Sequence, residues 1–199
     1  WIGSRHLHKI WSLVPTTIRS QISRDSSKHV TESHTDLEFR NAQFQRLASN
    51  CHTVITPSQY LSNQAKDQGW SAPLVIPHGI EPNNEKHKGV AGLIYIGSMV
   101  PHKGPSLIEQ AYNKAFPEQQ MPIQFVGDGP IEVSLPHRPS VDRTEVFHLL
   151  RNADALVMGS IWPENAPMII LEARAVGCPV IAPNVGGIPE IVKHGANGI

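Results

Sequence analysis

Two glutamates flank the start of a predicted helix in the segment Ser160 to Glu172 (SIWPENAPMIILE). Pro167 suits the first helical turn, whose free backbone amides offer partial positive charge to an anion such as a diphosphate. Glu164 precedes the helix, and Glu172 lies about 7 to 8 Å further along its axis than Pro167. A carboxylate beside a phosphate is repulsive unless it accepts hydrogen bonds from hydroxyl groups. The layout therefore favours a ligand that carries polyols, a sugar and a ribose, on both sides of the anion.

A structural role for both carboxylates is the alternative. Glu172 would then be a solvated helix residue, and Glu164 would only favour the helix dipole, because exposed glutamate is common. A glycine-rich loop, Asn184 to Glu190 (NVGGIPE), shifts the balance toward binding. It follows another predicted strand and precedes another predicted helix, so it offers a second place where a ligand can approach the backbone closely.

Two earlier loops also contain glycine after a predicted strand. The first runs from Gly97 to Gly104, and Lys103 adds a positive charge near the following helix start. Its spacing does not meet the Walker pattern of P-loop nucleotide-binding proteins. The second, Gly127-Asp128-Gly129, begins like a dinucleotide fingerprint but has Glu132 where the third glycine should stand. The sequence therefore disfavours a nicotinamide or flavin enzyme.

Apolar runs of strand length alternate with helical stretches from about residue 90 onward. The predicted strands are Leu93–Ile96, Ile123–Val126, Ala155–Met158 and Pro179–Ala182, and the predicted helices are Ser106–Phe116, Asp142–Ala153 and Pro167–Val176. Strands of this kind, separated by helices, predict an α/β fold with a doubly wound, Rossmann-like parallel sheet covered on both faces. Ligands bind outside the carboxyl ends of such strands, which makes the loops at Gly97, Gly127, Ser160 and Asn184 the candidate site.

The first part of the chain is less regular. It predicts a helix from Asp36, a strand over Thr53–Thr56, a helix capped by Ser58 and ended at Gly69, and a strand over Leu74–Ile76. The polar, turn-rich segment 81–89 (EPNNEKHKG) is typical of an interdomain linker. We therefore predict a partial domain over 1–80, a linker over 81–89 and a ligand-binding domain over 90–199.

Composition excludes several classes of protein. The 17 basic and 17 acidic residues cancel, so no long-range field attracts nucleic acid. No apolar run approaches the roughly 18 residues that span a membrane. Cys51 and Cys178 lack ligand spacing, which favours packing roles in a reducing compartment. The histidine pairs His6/His8 and His29/His34 have no cysteine or carboxylate at ligand spacing, so we predict no metal site there.

Long segments of the chain resemble a known enzyme family. GSMVPHKG, FVGDGP and SIWPENAPMIILEARAVGCPVIAPNVGGIPEIVKHGANGI look like the donor-binding domain of group 1 glycosyltransferases (glycosyltransferase family 4), which have the two-domain GT-B fold. ITPSQYLSNQAKDQGW with PLVIPHGIEP is similar to the end of that family's acceptor domain and its crossover. The resemblance covers about residues 37–199 and includes the Glu-x7-Glu motif at Glu164 and Glu172.

The resemblance implies roles for individual residues. Glu164 would contact donor-sugar hydroxyls, Glu172 the ribose, and Lys103 the diphosphate, with Glu164 and Lys103 as the catalytic pair. The implied donor-binding set is Gly97, Ser98, Lys103, Glu164, Asn165, Ala166, Pro167, Met168, Ile169 and Glu172. Gly97 would allow close approach of the ligand, and the amides of Ala166 to Ile169 would share the diphosphate. Ser98 replaces an arginine that the family usually has, which removes one phosphate partner.

Two further departures from the family pattern stand out. The family inserts a helix after the position of Gly129, whereas Ile131 and Glu132 follow here at once, so the base-binding region Val133–Asp142, with His137 and Arg138, is expected to be reshaped. His78 stands where an asparagine is usual, and we interpret it as a turn residue before Gly79.

The function implied by the resemblance is retaining, hexosyltransferase-like and metal-independent transfer, with no cofactor, from a nucleotide-diphosphate sugar to a saccharide or lipid-linked acceptor. The setting expected is polysaccharide biosynthesis in the cytoplasm, with peripheral contact at the inner membrane face; Trp1, Arg5, Lys9, Trp11 and Arg19 are candidates for an interfacial helix. A nucleotide-sugar binding module without transfer activity is the alternative. Both ends of the sequence look cut, so we expect a fragment that transfers no sugar by itself.

Overall fold

The computed structural model describes residues 34–81 and 87–199, which form two compact units. Within this range, the first unit comprises residues 34–56 and 61–76, and the second comprises 57–60 and 77–199. The candidate interfacial segment, the residues His6, His8 and His29, and most of the linker 81–89 lie outside the described residues. The domain boundaries given above stay predictions.

The first unit is built around two short parallel strands. Its elements are helix α1 (His34–Asn50), strand β1 (Ile55–Thr56), all but the first two residues of helix α2 (Gln59–Asp67) and strand β2 (Leu74–Val75). Ile55 pairs with Leu74, and Thr56 pairs with Val75. The sequence predicted this order of elements, although both strands are shorter than expected.

The second unit contains a parallel sheet of five strands. They are β3 (Leu93–Ile96), β4 (Ile123–Val126), β5 (His137–Arg138), β6 (Ala155–Val157) and β7 (Val180–Ile181). The order across the sheet is β5-β4-β3-β6-β7, so the chain first builds outward from β3 on one side and then crosses to the other. This is the doubly wound arrangement that the alternation of strands and helices predicted, and the α/β fold class is confirmed.

Helices cover both faces of this sheet. They are α3 (Pro105–Ala115), α4 (Arg143–Asn152), α5 (Met168–Ala175) and the short α6 (Ile188–Ile191). Alternate residues of β3 serve opposite faces: Ile94 packs in a cluster with residues of α4 and α5, whereas Tyr95 packs in a cluster with residues of α3. Because helices cover both faces, the carboxyl ends of the strands are the expected place for a ligand on such a sheet.

Three parts of the second unit bear on the elements predicted from the sequence. Strands β3 and β4 have the predicted bounds, whereas β5 was missed because its two residues, His137 and Arg138, are polar. Residues 127–136 contain no helix, as the departure after Gly129 indicated. Pro167 was expected in the first helical turn, but it occupies the N-cap with extended backbone (φ −66°, ψ 120°), and α5 begins at Met168.

Gly104 brings two loops into direct backbone contact. It has a left-handed conformation (φ 69°) between a 3-10 turn, Pro101–Lys103, and the start of α3. A Cβ atom at this position would overlap the carbonyl group of Gly159, in the loop after β6. Only glycine therefore satisfies both the backbone conformation and the contact.

We predict that Gly104→Ala lowers the free energy of unfolding by about 3 kcal/mol, because it adds a steric overlap to left-handed strain. Gly195→Ala is the matched control: Gly195 is also left-handed (φ 74°), but a Cβ there meets nothing within 4 Å. Its loss should be limited to the conformational cost of about 1 kcal/mol. Urea denaturation of both variants measures the difference, and equal losses would contradict the contact.

Candidate functional site

The candidate site lies at the carboxyl edge of the second unit's sheet, beside strands β3 and β6. These strands are neighbours, but the chain leaves them toward opposite sides of the sheet, through α3 to β4 and through α5 to β7. A crevice between such a pair of loops is the usual ligand site of doubly wound folds. The two loops are joined here, because the Ile161 N–H donates to the His102 carbonyl at 3.1 Å.

Lys103 and Glu164 meet in this crevice. The Lys103 Nζ lies 2.5 Å from the Glu164 Oε1, with 32% of the lysine side chain and 12% of the glutamate side chain exposed. The same oxygen accepts a hydrogen bond from the Ser160 Oγ at 2.8 Å. The structure thus brings together, in one partly buried cluster, the two residues that the sequence predicted as the catalytic pair.

The backbone of Glu164 is fixed by a third loop, the one after β7. The Gly187 N–H donates to the Glu164 carbonyl at 2.6 Å. A Cβ at Gly186 would overlap the Glu164 backbone, and a Cβ at Gly187 would overlap the carbonyl of Asn165. The sequence suggested that these two glycines let a ligand approach the backbone. In the structure they let the loop after β7 pack against the backbone of Glu164 and Asn165.

Helix α5 begins four residues after Glu164. The Ile170 N–H donates to the Pro167 carbonyl at 3.2 Å, and the amides of Met168 and Ile169 have no backbone acceptor among the described residues. Free first-turn amides carry partial positive charge and attract anions. Asn165 is exposed and Ala166 half-buried between Glu164 and the helix.

Glu172 lies one turn further along α5 and has a different partner. Its Oε1 is 3.5 Å from the Arg143 Nε at the start of α4, and 15% of its side chain is exposed. Burial raises the pKa of the Glu172 carboxyl, and the positive charge of Arg143 opposes that rise. The predicted pair of carboxylates is therefore held by two separate cations, Lys103 and Arg143.

The side chain of Tyr95, on strand β3, contacts the start of the loop that follows this strand. The Tyr95 hydroxyl donates to the Ser98 carbonyl at 2.7 Å. Burial, and secondly the charge of Glu164, raises the pKa of the Tyr95 phenol, which therefore stays a donor. Gly97 donates its N–H to Val126 at 3.0 Å, and Ser98 is exposed at the surface. No arginine stands at this point to assist Lys103.

The predicted base-binding region, Val133–Asp142, is tied to the sheet. The His137 Nε2 lies 2.8 Å from the Gly127 carbonyl oxygen, and the Arg138 Nη2 donates to the Glu145 Oε1 at 2.8 Å. His137 is itself exposed at the surface. Its ring connects the region to the loop after β4.

The sequence marked Ser160 only as the start of a candidate loop, without a partner, and gave no indication of Arg143. Ser160 lies four residues before its partner in an irregular loop, and Arg143 lies on another helix, so neither has a spacing that marks it. Among residues 34–81 and 87–199, no group of three or more histidine, cysteine, aspartate or glutamate side chains is placed to hold a metal ion. Within the same residues, no helix has the length and apolarity needed to cross a membrane.

Comparison with known sequences gives a consistent result. The family described as Glycosyl transferases group 1 matches residues 80–199. An uncharacterized glycosyltransferase of Methanocaldococcus jannaschii is 28% identical over 171 residues, which are 78% of this chain and 47% of that protein. The putative teichuronic acid biosynthesis glycosyltransferase TuaC of Bacillus subtilis is 28% identical over 172 residues, 76% of this chain and 43% of its own length. The chain therefore spans less than half of these relatives.

Comparison with solved structures supports the same fold. HepE of Anabaena, crystallised in complex with UDP-glucose, superposes with a TM-score of 0.70 at 21% identity, covering 92% of this chain and 60% of that chain. A glycosyltransferase of Rickettsia africae superposes with a TM-score of 0.63 at 16% identity, over 84% of this chain and 52% of that one. These likenesses show the GT-B glycosyltransferase fold. With the family match covering more than half of its residues, the chain belongs to the group 1 glycosyltransferases.

Proposed function

We propose that this chain binds a nucleotide-diphosphate sugar at the carboxyl edge of its five-stranded sheet, and that the protein transfers the sugar to a saccharide or lipid-linked acceptor. The observation that carries the proposal is the contact of Lys103 with Glu164, four residues before the free amides of α5. A cation and a helix start suit a diphosphate, and a carboxylate beside them suits a polyol attached to it.

Each part of the donor then has a partner. The diphosphate lies against Lys103 and the amides of Met168 and Ile169, the donor sugar presents hydroxyls to Glu164, and the ribose presents hydroxyls to Glu172. The rise of the helix separates Pro167 from Glu172 by about 7 to 8 Å. The separation leaves room for the anion between the two polyols.

The same groups favour the reaction. As the bond between the anomeric carbon and the phosphate oxygen breaks, negative charge develops on the departing diphosphate. Lys103 and the helix start are already in place to stabilise that charge, which is the condition for electrostatic catalysis. No metal ion is needed for this task, and we propose metal-independent transfer without a cofactor and with retention at the anomeric carbon, as the resemblance to the family implies.

Two finer points belong to the same proposal. The name of TuaC refers to teichuronic acid, and HepE was crystallised with UDP-glucose, so a hexosyl donor and a saccharide acceptor are the classes to test first. Peripheral contact with the inner membrane face is proposed for the protein as a whole. If the chain binds the donor but the protein transfers no sugar, the alternative applies, a nucleotide-sugar binding module.

Calorimetric titration of the chain with UDP, GDP and ADP tests the binding site. Binding of at least one of them supports the proposal. No heat with any of the three at millimolar concentration would contradict the site.

We predict that Lys103→Ala weakens binding of the preferred nucleoside diphosphate about ten- to a hundredfold, because a charge-assisted hydrogen bond to phosphate contributes roughly 1.5 to 3 kcal/mol. The corresponding nucleoside, which lacks phosphate, should bind with unchanged affinity. Lys114→Ala is the control, since Lys114 is an exposed lysine in the last turn of α3. Equal losses for nucleoside and diphosphate would mean that Lys103 acts through folding.

A further prediction concerns the pH dependence of nucleotide binding. Ribose hydroxyls need Glu172 as a carboxylate acceptor, so affinity should fall as the pH falls through the raised pKa of Glu172. Arg143→Met removes the cation that lowers this pKa and should move the loss to higher pH. Glu172→Gln should weaken binding and remove this component of the pH dependence.

Calorimetry at several pH values between about 5 and 8 measures these curves. The phosphate groups of the nucleotide also titrate in this pH range. The curves of wild type and variants are therefore compared with the same nucleotide. A loss of affinity that stays at the same pH in Arg143→Met, or moves to lower pH, would contradict the assignment of Glu172.

A further inference from the structure

Glu164 uses only one of its carboxylate oxygens for contacts within the protein. Oε1 accepts from the Ser160 Oγ at 2.8 Å and from the Lys103 Nζ at 2.5 Å. Among the described residues, Oε2 has no hydrogen-bond donor. One oxygen thus anchors the side chain, and the other is available to accept hydrogen bonds from a ligand.

The two donors on Oε1 differ in mobility. Lys103 has a long side chain, 32% exposed, whose ammonium group has three donor hydrogens and can turn toward an anion. Ser160 is 3% exposed and has a single side-chain torsion before its hydroxyl oxygen. Its hydroxyl has little freedom to move away from Glu164.

The backbone of Ser160 is fixed on both sides. Gly159, before it, packs against Gly104 so closely that neither position has room for a side chain. Ile161, after it, donates its N–H to the His102 carbonyl at 3.1 Å. Because the residues on both sides of Ser160 are fixed, its hydroxyl can hold the Glu164 carboxylate in one position.

We propose that Ser160 is a positioning residue for the donor sugar. Its hydroxyl holds Oε1 of Glu164 in place when Lys103 turns to the diphosphate, so that Oε2 stays directed at a sugar hydroxyl. Ser160 itself does not touch the donor. This inference rests on the proposed function and assigns to Ser160 the discrimination between a nucleotide-diphosphate sugar and the free nucleoside diphosphate.

The test compares the dissociation constants of the two ligands. Wild type, Ser160→Ala and Ser160→Thr are titrated calorimetrically with UDP, GDP and ADP and with UDP-glucose, GDP-mannose and ADP-glucose. Ser160→Ala should bind the preferred sugar nucleotide about tenfold more weakly and its free diphosphate within about twofold of wild type. Ser160→Thr, which keeps the hydroxyl, should show the same preference for the sugar nucleotide as wild type.

Two further variants separate positioning from a general effect on the fold. Ser62→Ala removes another buried serine, which donates to the Pro73 carbonyl at 3.3 Å in the first unit, and should leave both affinities unchanged. Glu164→Gln should lose the preference for the sugar, and adding Ser160→Ala to it should cause no further loss. If Ser160→Ala does not fold, Ser160→Cys replaces it, since a thiol is a weak donor.

The outcomes distinguish the two proposals. If wild type binds none of the six ligands, the proposed function fails and this inference fails with it. If wild type prefers the sugar nucleotide but Ser160→Ala keeps that preference, or loses affinity for both ligands equally, only the role of Ser160 is overturned. A tenfold loss that persists in the Glu164→Gln background would also overturn it.

Discussion

The contact of two glycines, Gly104 and Gly159, is the constraint on which the site depends. At this contact the backbone of the loop after β3 lies directly against the backbone of the loop after β6, because neither residue carries a side chain that would keep the backbones apart. Lys103 directly precedes one glycine and Ser160 directly follows the other. Their side chains can therefore meet at a single oxygen of Glu164 although they lie 57 positions apart along the chain.

The loop after β7 completes this arrangement from the other side. Gly186 and Gly187 pack on the backbone of Glu164 and Asn165, and the Gly187 N–H holds the Glu164 carbonyl. Glu164 is thus fixed by its main chain and by one oxygen of its side chain before any ligand is present. Preorganisation of this kind lets a charged group act on a ligand without first losing conformational freedom.

The balance of charge explains how two carboxylates can line the proposed diphosphate site. Glu164 is neutralised by Lys103, and Glu172 lies next to Arg143 at the start of another helix. The free amides of Met168 and Ile169 lie between the two glutamates in the sequence. In the proposed complex, the diphosphate faces partial positive charge, and the carboxylates on either side accept hydrogen bonds from hydroxyl groups.

Much of the fold could be predicted from the sequence, because strands buried on both faces are rich in apolar residues. Leu93–Ile96 and Ile123–Val126 are examples, with their bounds predicted correctly. The polar strand His137–Arg138 has no such signature, and it forms because it pairs with the end of β4. The motif around Glu164 and Glu172 indicated the candidate site. Arg143 could not be found by spacing, because tertiary packing brings it to Glu172 from another helix. Ser160 lies in the same irregular loop as Glu164, where no regular spacing predicts which side chains meet.

The most direct measurement of the central claim is a crystal structure of the chain with a bound sugar nucleotide, such as UDP-glucose. The account predicts diphosphate oxygens within hydrogen-bond distance of the Lys103 Nζ and of the Met168 and Ile169 amides. It also predicts a sugar hydroxyl on the Glu164 Oε2, with Ser160 still on Oε1, and ribose hydroxyls on Glu172. A nucleotide bound at the carboxyl edge with its ribose on Glu164, or bound away from the loops after β3 and β6, would contradict it.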